Sequence, residues 1–109
     1  MSKPLTIAQR NTDRVVILRL GGTLDGHTAI ELEQQMQGLL EAGHRVFLLE
    51  LDALDFIASA GVGVLINAQQ RVAEDGGGVL LVAPTPMVKE VFAILGLQSL
   101  FPIHADIDA

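Results

Sequence analysis

Three short aliphatic runs constrain this chain most: Val15-Val16-Ile17-Leu18-Arg19-Leu20, Val46-Phe47-Leu48-Leu49-Glu50-Leu51 and Val79-Leu80-Leu81-Val82. Their near-continuous apolar character reads as buried β-strand. Between them the apolar spacing changes to that of helices. Leu32, Met36, Leu39 and Leu40 share one helical face; Asp25 or Thr28 can cap it, Thr28 and Glu31 stand at capping-box spacing, and Gly43 suits its end. After Ser59, a second stripe holds Val62, Leu65, Ile66, Val72 and Ala73, is interrupted by Gln69, and closes at Gly76-Gly77-Gly78. Thr85-Pro86 reads as a cap followed by proline at the first helical position, with Val88, Val91, Phe92 and Leu95 inward and Gly96 as the stop. Leu5 to Gln9 reads as a short edge strand, Asn11 to Arg14 as a turn, and Leu100 to His104 as a last short strand.

The order is therefore β-β-α-β-α-β-α-β. The very short link between the first two strands implies an antiparallel hairpin. The later strands, joined through helices, imply parallel pairing by right-handed crossovers. The expected fold is α/β, a mixed and mostly parallel sheet with an antiparallel N-terminal edge strand. Strand-to-helix loops of such a sheet emerge at one edge, where open α/β folds bind ligands. Three loops share that rim: Gly21 to Gly26, Asp52 to Ser59, and Ala83 to Pro86. Asp25, Ser59 and Thr85 are thereby expected near one another.

Whole-chain numbers narrow the function. A chain of 109 residues fits one domain over 1–109. Half of the residues are hydrophobic but only four are aromatic, all Phe, so the core is aliphatic. A net charge of −6 with scattered Lys and Arg argues against nucleic acid. There is no cysteine for a disulfide, a thiolate metal site or a thiol nucleophile. His27, His44 and His104 lack metal-ligand spacing, and Gly76-Gly77-Gly78 lacks the Lys-Ser/Thr ending of a phosphate loop. No cofactor is expected. No apolar run approaches the roughly 20 residues of a membrane span, and the N-terminus lacks a signal-peptide core, so the expected location is cytoplasmic.

Ser59 is the one Ser or Thr between Thr28 and Thr85. It falls where the free N–H groups of a helix start would meet a phosphate. Two readings stay open. Ser59 caps the helix, a routine role for serine, or it is modified or bound there. Asp25 reads first as a helix cap and second as a partner contact. Gly61 and Gly63 weaken a helix, either for close packing on the sheet or for access to Ser59.

The strand with Gly22-Thr23-Leu24-Asp25, the stretch Leu51-Asp52…Phe56-Ile57-Ala58-Ser59-Ala60-Gly61-Val62-Gly63-Val64-Leu65, and Val91-Phe92…Leu95-Gly96-Leu97 together resemble the STAS domains of the anti-sigma factor antagonist family. The resemblance runs from about Leu5 to about Ile103. It implies a protein that, unphosphorylated, binds an anti-sigma factor with an ATP-binding serine kinase domain and frees a sigma factor. Phosphorylation of a loop serine, here Ser59, switches it off, and a serine phosphatase resets it. It implies a partner face at Asp25, Ala58, Ser59, Ala60, Gly61, Val62 and Thr85. Glu50, Asp52 and Asp55 make the region acidic, so basic groups are expected on the partner. The family's loop often reads Asp, Ser, Ser or Thr, Gly; here those places hold Ala58, Ser59, Ala60 and Gly61. Members commonly finish with another helix, whereas the tail with Asp106 and Asp108 is not expected to form a full one. The adjoining apolar surface is then bare or covered by a second copy, as in a homodimer.

Rival readings come from three directions. Ile57-Ala58-Ser59-Ala60-Gly61 half-resembles a nucleophile elbow, but it lacks the first Gly and would need His104 as base, so the chain is not expected to be an enzyme. A phosphoacceptor receiver domain would need paired acids where Gly21-Gly22 stand. The third rival is a STAS module outside sigma regulation, a stressosome-like scaffold or a transport-complex subunit, without a phosphoswitch.

Overall fold

The computed structural model describes residues 4–97 and 99–101, and the backbone of residues 103 and 104. Its elements are β1 (Leu5–Thr12), β2 (Val15–Leu24), α1 (Ala29–Glu41), β3 (Val46–Ile57), α2 (Ser59–Glu74), β4 (Gly78–Val82), α3 (Pro86–Ile94) and β5 (Ile103–His104). The strands lie in the sheet in chain order, β1 to β5. β1 pairs antiparallel with β2, and every later pair is parallel. This is the expected α/β architecture. The tail beyond His104, where no full helix was expected, lies outside the described residues. No helix among the described residues is long and apolar enough to cross a membrane.

The register explains the core. Val16, Phe47 and Val79 stand side by side across β2, β3 and β4, as do Leu18, Leu49 and Leu81, and all six are fully buried. α1 lays Ala29, Leu32, Met36 and Leu40 on this core; α2 adds Val62, Leu65, Ala68 and Val72; α3 adds Val88 and Phe92. Phe92 meets Phe101 edge to face, with ring centroids 5.5 Å apart and planes at 75°, the geometry that aromatic quadrupoles favour. Each buried Leu or Phe contributes about 1.5–3 kcal/mol relative to exposure.

Several boundaries differ from the sequence reading. β1 runs on to Thr12, because Asn11 and Thr12 still pair with Val16 and Val15 at an exposed edge. The turn shrinks to Asp13-Arg14, with Asp13 at φ 47°, a left-handed conformation that Asp tolerates. Leu95 and Ala73 are exposed, and Leu95 stands at the C-cap of α3. Gln69, the polar break in the α2 stripe, is half-buried because its Oε1 accepts the Val79 N–H at 2.7 Å. The side chain thus ties α2 to the start of β4.

The largest difference concerns the stretch from Asp52 to Ser59, expected as a loop. β3 continues through it to Ile57, and β2 continues past Gly21-Gly22 to Leu24. Register shifts between Arg19 and Gly21 and between Gly22 and Thr23 let both strands run on together. Irregularities of this kind break the period of two, so the buried residues Leu51, Leu54 and Ile57 fall three apart.

Candidate functional site

The prolonged β2 and β3 bring their ends to one rim. The Ala58 N–H donates to the Leu24 carbonyl at 2.8 Å. Ala58 alone separates β3 from α2, and it is the N-cap, with extended backbone (φ −103°, ψ 169°) and no side-chain cap. Ser59 is the first residue of α2. The reading of Ser59 as the cap is therefore corrected by one position. A methyl group cannot accept a hydrogen bond, and the Ser59 hydroxyl has no hydrogen-bond partner among the described residues. Gly61 and Val62 direct their N–H groups back to the Ala58 carbonyl, at 3.0 and 3.1 Å. The first-turn N–H groups of Ser59 and Ala60 are left for an outside acceptor. Ser59 and Ala60 are exposed.

Asp25 holds the neighbouring turn together. Its Oδ1 accepts the N–H groups of His27 (3.0 Å) and Thr28 (3.1 Å). The Thr28 hydroxyl accepts the Asp25 N–H at 2.8 Å and donates to the Thr23 carbonyl at 2.7 Å. Thr28 is the N-cap of α1 but makes no side-chain cap, so the Thr28–Glu31 capping box does not form. The Thr28 oxygen is engaged by the turn before the helix instead. Asp25 therefore shapes the rim from a half-buried position.

Thr85 caps α3 as expected. Its Oγ1 accepts the Val88 N–H and donates to the Leu54 carbonyl, both at a long 3.4 Å. This ties the third loop to β3, four residues before Ala58. Ala83, just before, has φ 52°, a conformation that costs a non-glycine residue roughly 1–2 kcal/mol.

The two glycines after Ser59 separate. A Cβ on Gly61 would meet Leu24 Cγ at 2.5 Å, so close packing accounts for that glycine. A Cβ on Gly63 would meet nothing within 4 Å, so packing among the described residues does not require it. Val62 and Gly61 are buried, which makes them supports of the rim rather than contact residues. Glu50 and Asp52 pair with Arg10 and Arg19, each at 3.1 Å. These pairs offset two of the three carboxylates, Glu50, Asp52 and Asp55, that were expected to make the region acidic.

Two apolar residues beside the site escaped the sequence reading. Phe56 is 47% exposed and Ile30 56% exposed. Ile30 and Ala60 line one shallow depression of about 190 Å³, together with Gly26, Ala29, Glu33 and Val64. No sequence signal marked Phe56 as exposed, since alternation after Asp55 would turn it inward and the irregular register of β3 breaks that alternation. Among the described residues no His, Asp or Glu cluster could hold a metal. The side chain of His104, the base that a hydrolase would need, lies outside the described residues.

Comparison with known proteins agrees with this geometry. The family model of the STAS domain matches residues 6–109. A protein named as an anti-sigma factor antagonist, BtrV of Bordetella bronchiseptica, is 33% identical over 91 residues, covering 84% of this chain and 78% of that one. The anti-sigma F factor antagonist of Paenibacillus polymyxa is 29% identical over 101 residues, covering 92% and 86%. The anti-sigma factor antagonist SpoIIAA in its unphosphorylated form superposes with a TM-score of 0.84 at 24% identity, covering 94% and 90%. The phosphorylated form of the Bacillus protein superposes with a TM-score of 0.77 at 23% identity, covering 94% of each chain. On its sequence match and its fold, the chain belongs to the STAS domain family that includes the anti-sigma factor antagonists.

Proposed function

We propose that this protein is an anti-sigma factor antagonist switched by phosphorylation of Ser59. In the unphosphorylated form it binds an anti-sigma factor that carries an ATP-binding serine kinase domain, and a sigma factor is released. Phosphorylation of Ser59 ends the complex, and a serine phosphatase restores it. The observation that carries this reading is the state of Ser59: exposed, without a hydrogen-bond partner among the described residues, and first in a helix without a side-chain cap. Phosphate adds a charge of about −1.5 to −2 there. The helix start favours such charge by about 0.3–1 kcal/mol. The helix start can thus accept the group, and SpoIIAA, which shares this architecture, is known in an unphosphorylated and a phosphorylated form. The effect on a partner is the opposite. An apolar contact over Phe56 and Ile30 would have to desolvate the new charge, which costs far more than desolvating a hydroxyl.

A second reading rests on Ala58 and Ala60, which replace the acid and second hydroxyl common in the family loop. In it, the rim binds a partner permanently, as in a stressosome-like scaffold or a transport-complex subunit. Phosphopeptide mass spectrometry on protein isolated from its native cells decides between them. Phosphate on Ser59 supports the switch; no phosphate on Ser59 across growth and stress conditions moves the conclusion to the second reading.

A further inference from the structure

A trough of about 680 Å³ runs between α1 and α2 on the outer side of the helical layer. Met36, Leu40, Val64 and Ala68 form its floor, each no more than 9% exposed. Its walls carry Glu33, Glu41 and Glu74 against one cation, Arg71. The Arg71 guanidinium donates to Gln37 Oε1 at 2.7 Å and Glu41 Oε1 accepts from Gln37 Nε2 at 3.2 Å, while none of the three glutamates is in an ion pair among the described residues. The trough is therefore narrowly apolar below and negative above. Lysine and arginine match this division, because their aliphatic stems lie on apolar surface while their charged ends reach carboxylates.

Gly38 supplies an independent observation. It is exposed in the interior of α1, where glycine weakens a helix relative to alanine, and it lines the trough. A Cβ there would meet nothing within 4 Å. Gly61 is demanded by Leu24, but Gly38 is demanded by nothing among the described residues. Close approach of another backbone gives it a purpose.

The dimensions indicate the kind of occupant. At about 1.5 Å per residue, Glu33 to Glu41 spans about 12 Å and Val64 to Glu74 about 15 Å, roughly two to three helical turns. Glu33 and Val64 also line the depression beside Ala60, so the trough opens onto the rim that carries Ser59. We infer that the α1–α2 trough seats a Lys/Arg-rich amphipathic helix of a protein partner, a docking contact separate from the serine that is modified. The inference rests on the reading of this chain as a partner-binding module, and it adds where and by what chemistry the partner is held.

The test titrates the full ¹⁵N-labelled protein with a synthetic helical 14-residue peptide carrying leucine on one face and lysine on its flanks. A peptide with glutamate in place of lysine is the control. The expected result is saturable amide shifts centred on Gly38, Val64, Ala68 and Arg71, absent with the acidic control. Gly38→Lys, which fills the trough and reduces its negative charge, is expected to weaken binding tenfold or more. Glu41→Lys, on an exposed position, reports the same contact should Gly38→Lys perturb the fold. Shifts that do not saturate, that centre on the sheet, or that persist unchanged in both variants overturn the inference. Such a failure leaves the Ser59 switch standing, because that is read by phosphate on Ser59; absence of phosphate on Ser59 likewise leaves the titration result intact.

Discussion

Replacing Ala58 by Asp is expected to stabilise the fold by about 1 kcal/mol, within a range of roughly 0.5–2. Ala58 already has the extended backbone of an N-cap (φ −103°, ψ 169°), so the new carboxylate can accept first-turn N–H groups of α2 without backbone change. Part of the gain comes from charge at the helix start. For 109 residues the unfolding entropy is about 0.23 kcal/mol/K, so about 1 kcal/mol raises Tm by about 4 °C. The sign with pH follows from linkage. The helix start depresses the carboxyl pKa below its unfolded value of about 3.9, so the gain is full above that value and is lost as pH falls through the folded pKa. Ala58→Asn, with a neutral acceptor, should keep its gain at low pH. Urea and thermal unfolding at pH 7 and pH 3 measure both. An Ala58→Asp midpoint at pH 7 equal to or below that of the natural protein would refute the assignment of Ala58 as an unfilled cap.

Ser59→Ala should leave stability within about 0.5 kcal/mol, because the hydroxyl has no hydrogen-bond partner among the described residues. In a pull-down with kinase and ATP the variant should hold its partner while the natural protein releases it; identical behaviour would count against the switch. Gly61→Ala and Gly63→Ala should differ in sign. The first drives a methyl group into Leu24 and overpacks the core by about 1–3 kcal/mol, whereas the second gains about 0.5–1 kcal/mol of helix stability in open space; equal urea midpoints would contradict this. Gln69→Leu strips the acceptor from the Val79 N–H and should cost about 1–3 kcal/mol, with accelerated amide exchange at Val79 as its signature. Phe56→Ser should cost about 1 kcal/mol of stability, about half the value of a fully buried Phe, since the residue is 47% exposed, and should weaken partner binding; unchanged affinity by calorimetry would remove Phe56 from the interface.

The strands β2, β3 and β4 are legible because each is buried on its core face and largely covered on the other, which makes the runs from Val15, Val46 and Val79 apolar almost without interruption. The strand ends are less so. Leu51, Leu54 and Ile57 are spaced by irregularities beside Gly21-Gly22, and those glycines read in the sequence as the end of a strand, although glycine inside a strand also marks a bulge. Ser59 stands out as an isolated hydroxyl before a helix, but placing it at the cap or one residue inside requires the backbone of Ala58. Asp25 and Thr28 were visible as polar turn residues, while their mutual bonding, which removes Thr28 from capping, depends on the position of the Thr23 carbonyl. The trough was not readable, since Gly38 looks like any glycine until the space above it is seen.

Leu24 joins the rim in two ways at once. Its carbonyl holds the Ala58 N–H, and its side chain lies against Gly61. The start of α2 cannot lift from β2 without losing both contacts together. The α2 start and the Asp25–Thr28 turn should therefore open as one cooperative unit, with a shared local-unfolding free energy in hydrogen exchange at Ala58 and Thr28. If Ser59 is modified as proposed, an enzyme that draws it into an extended segment would meet that single barrier, and its turnover would be bounded by the frequency at which the unit opens.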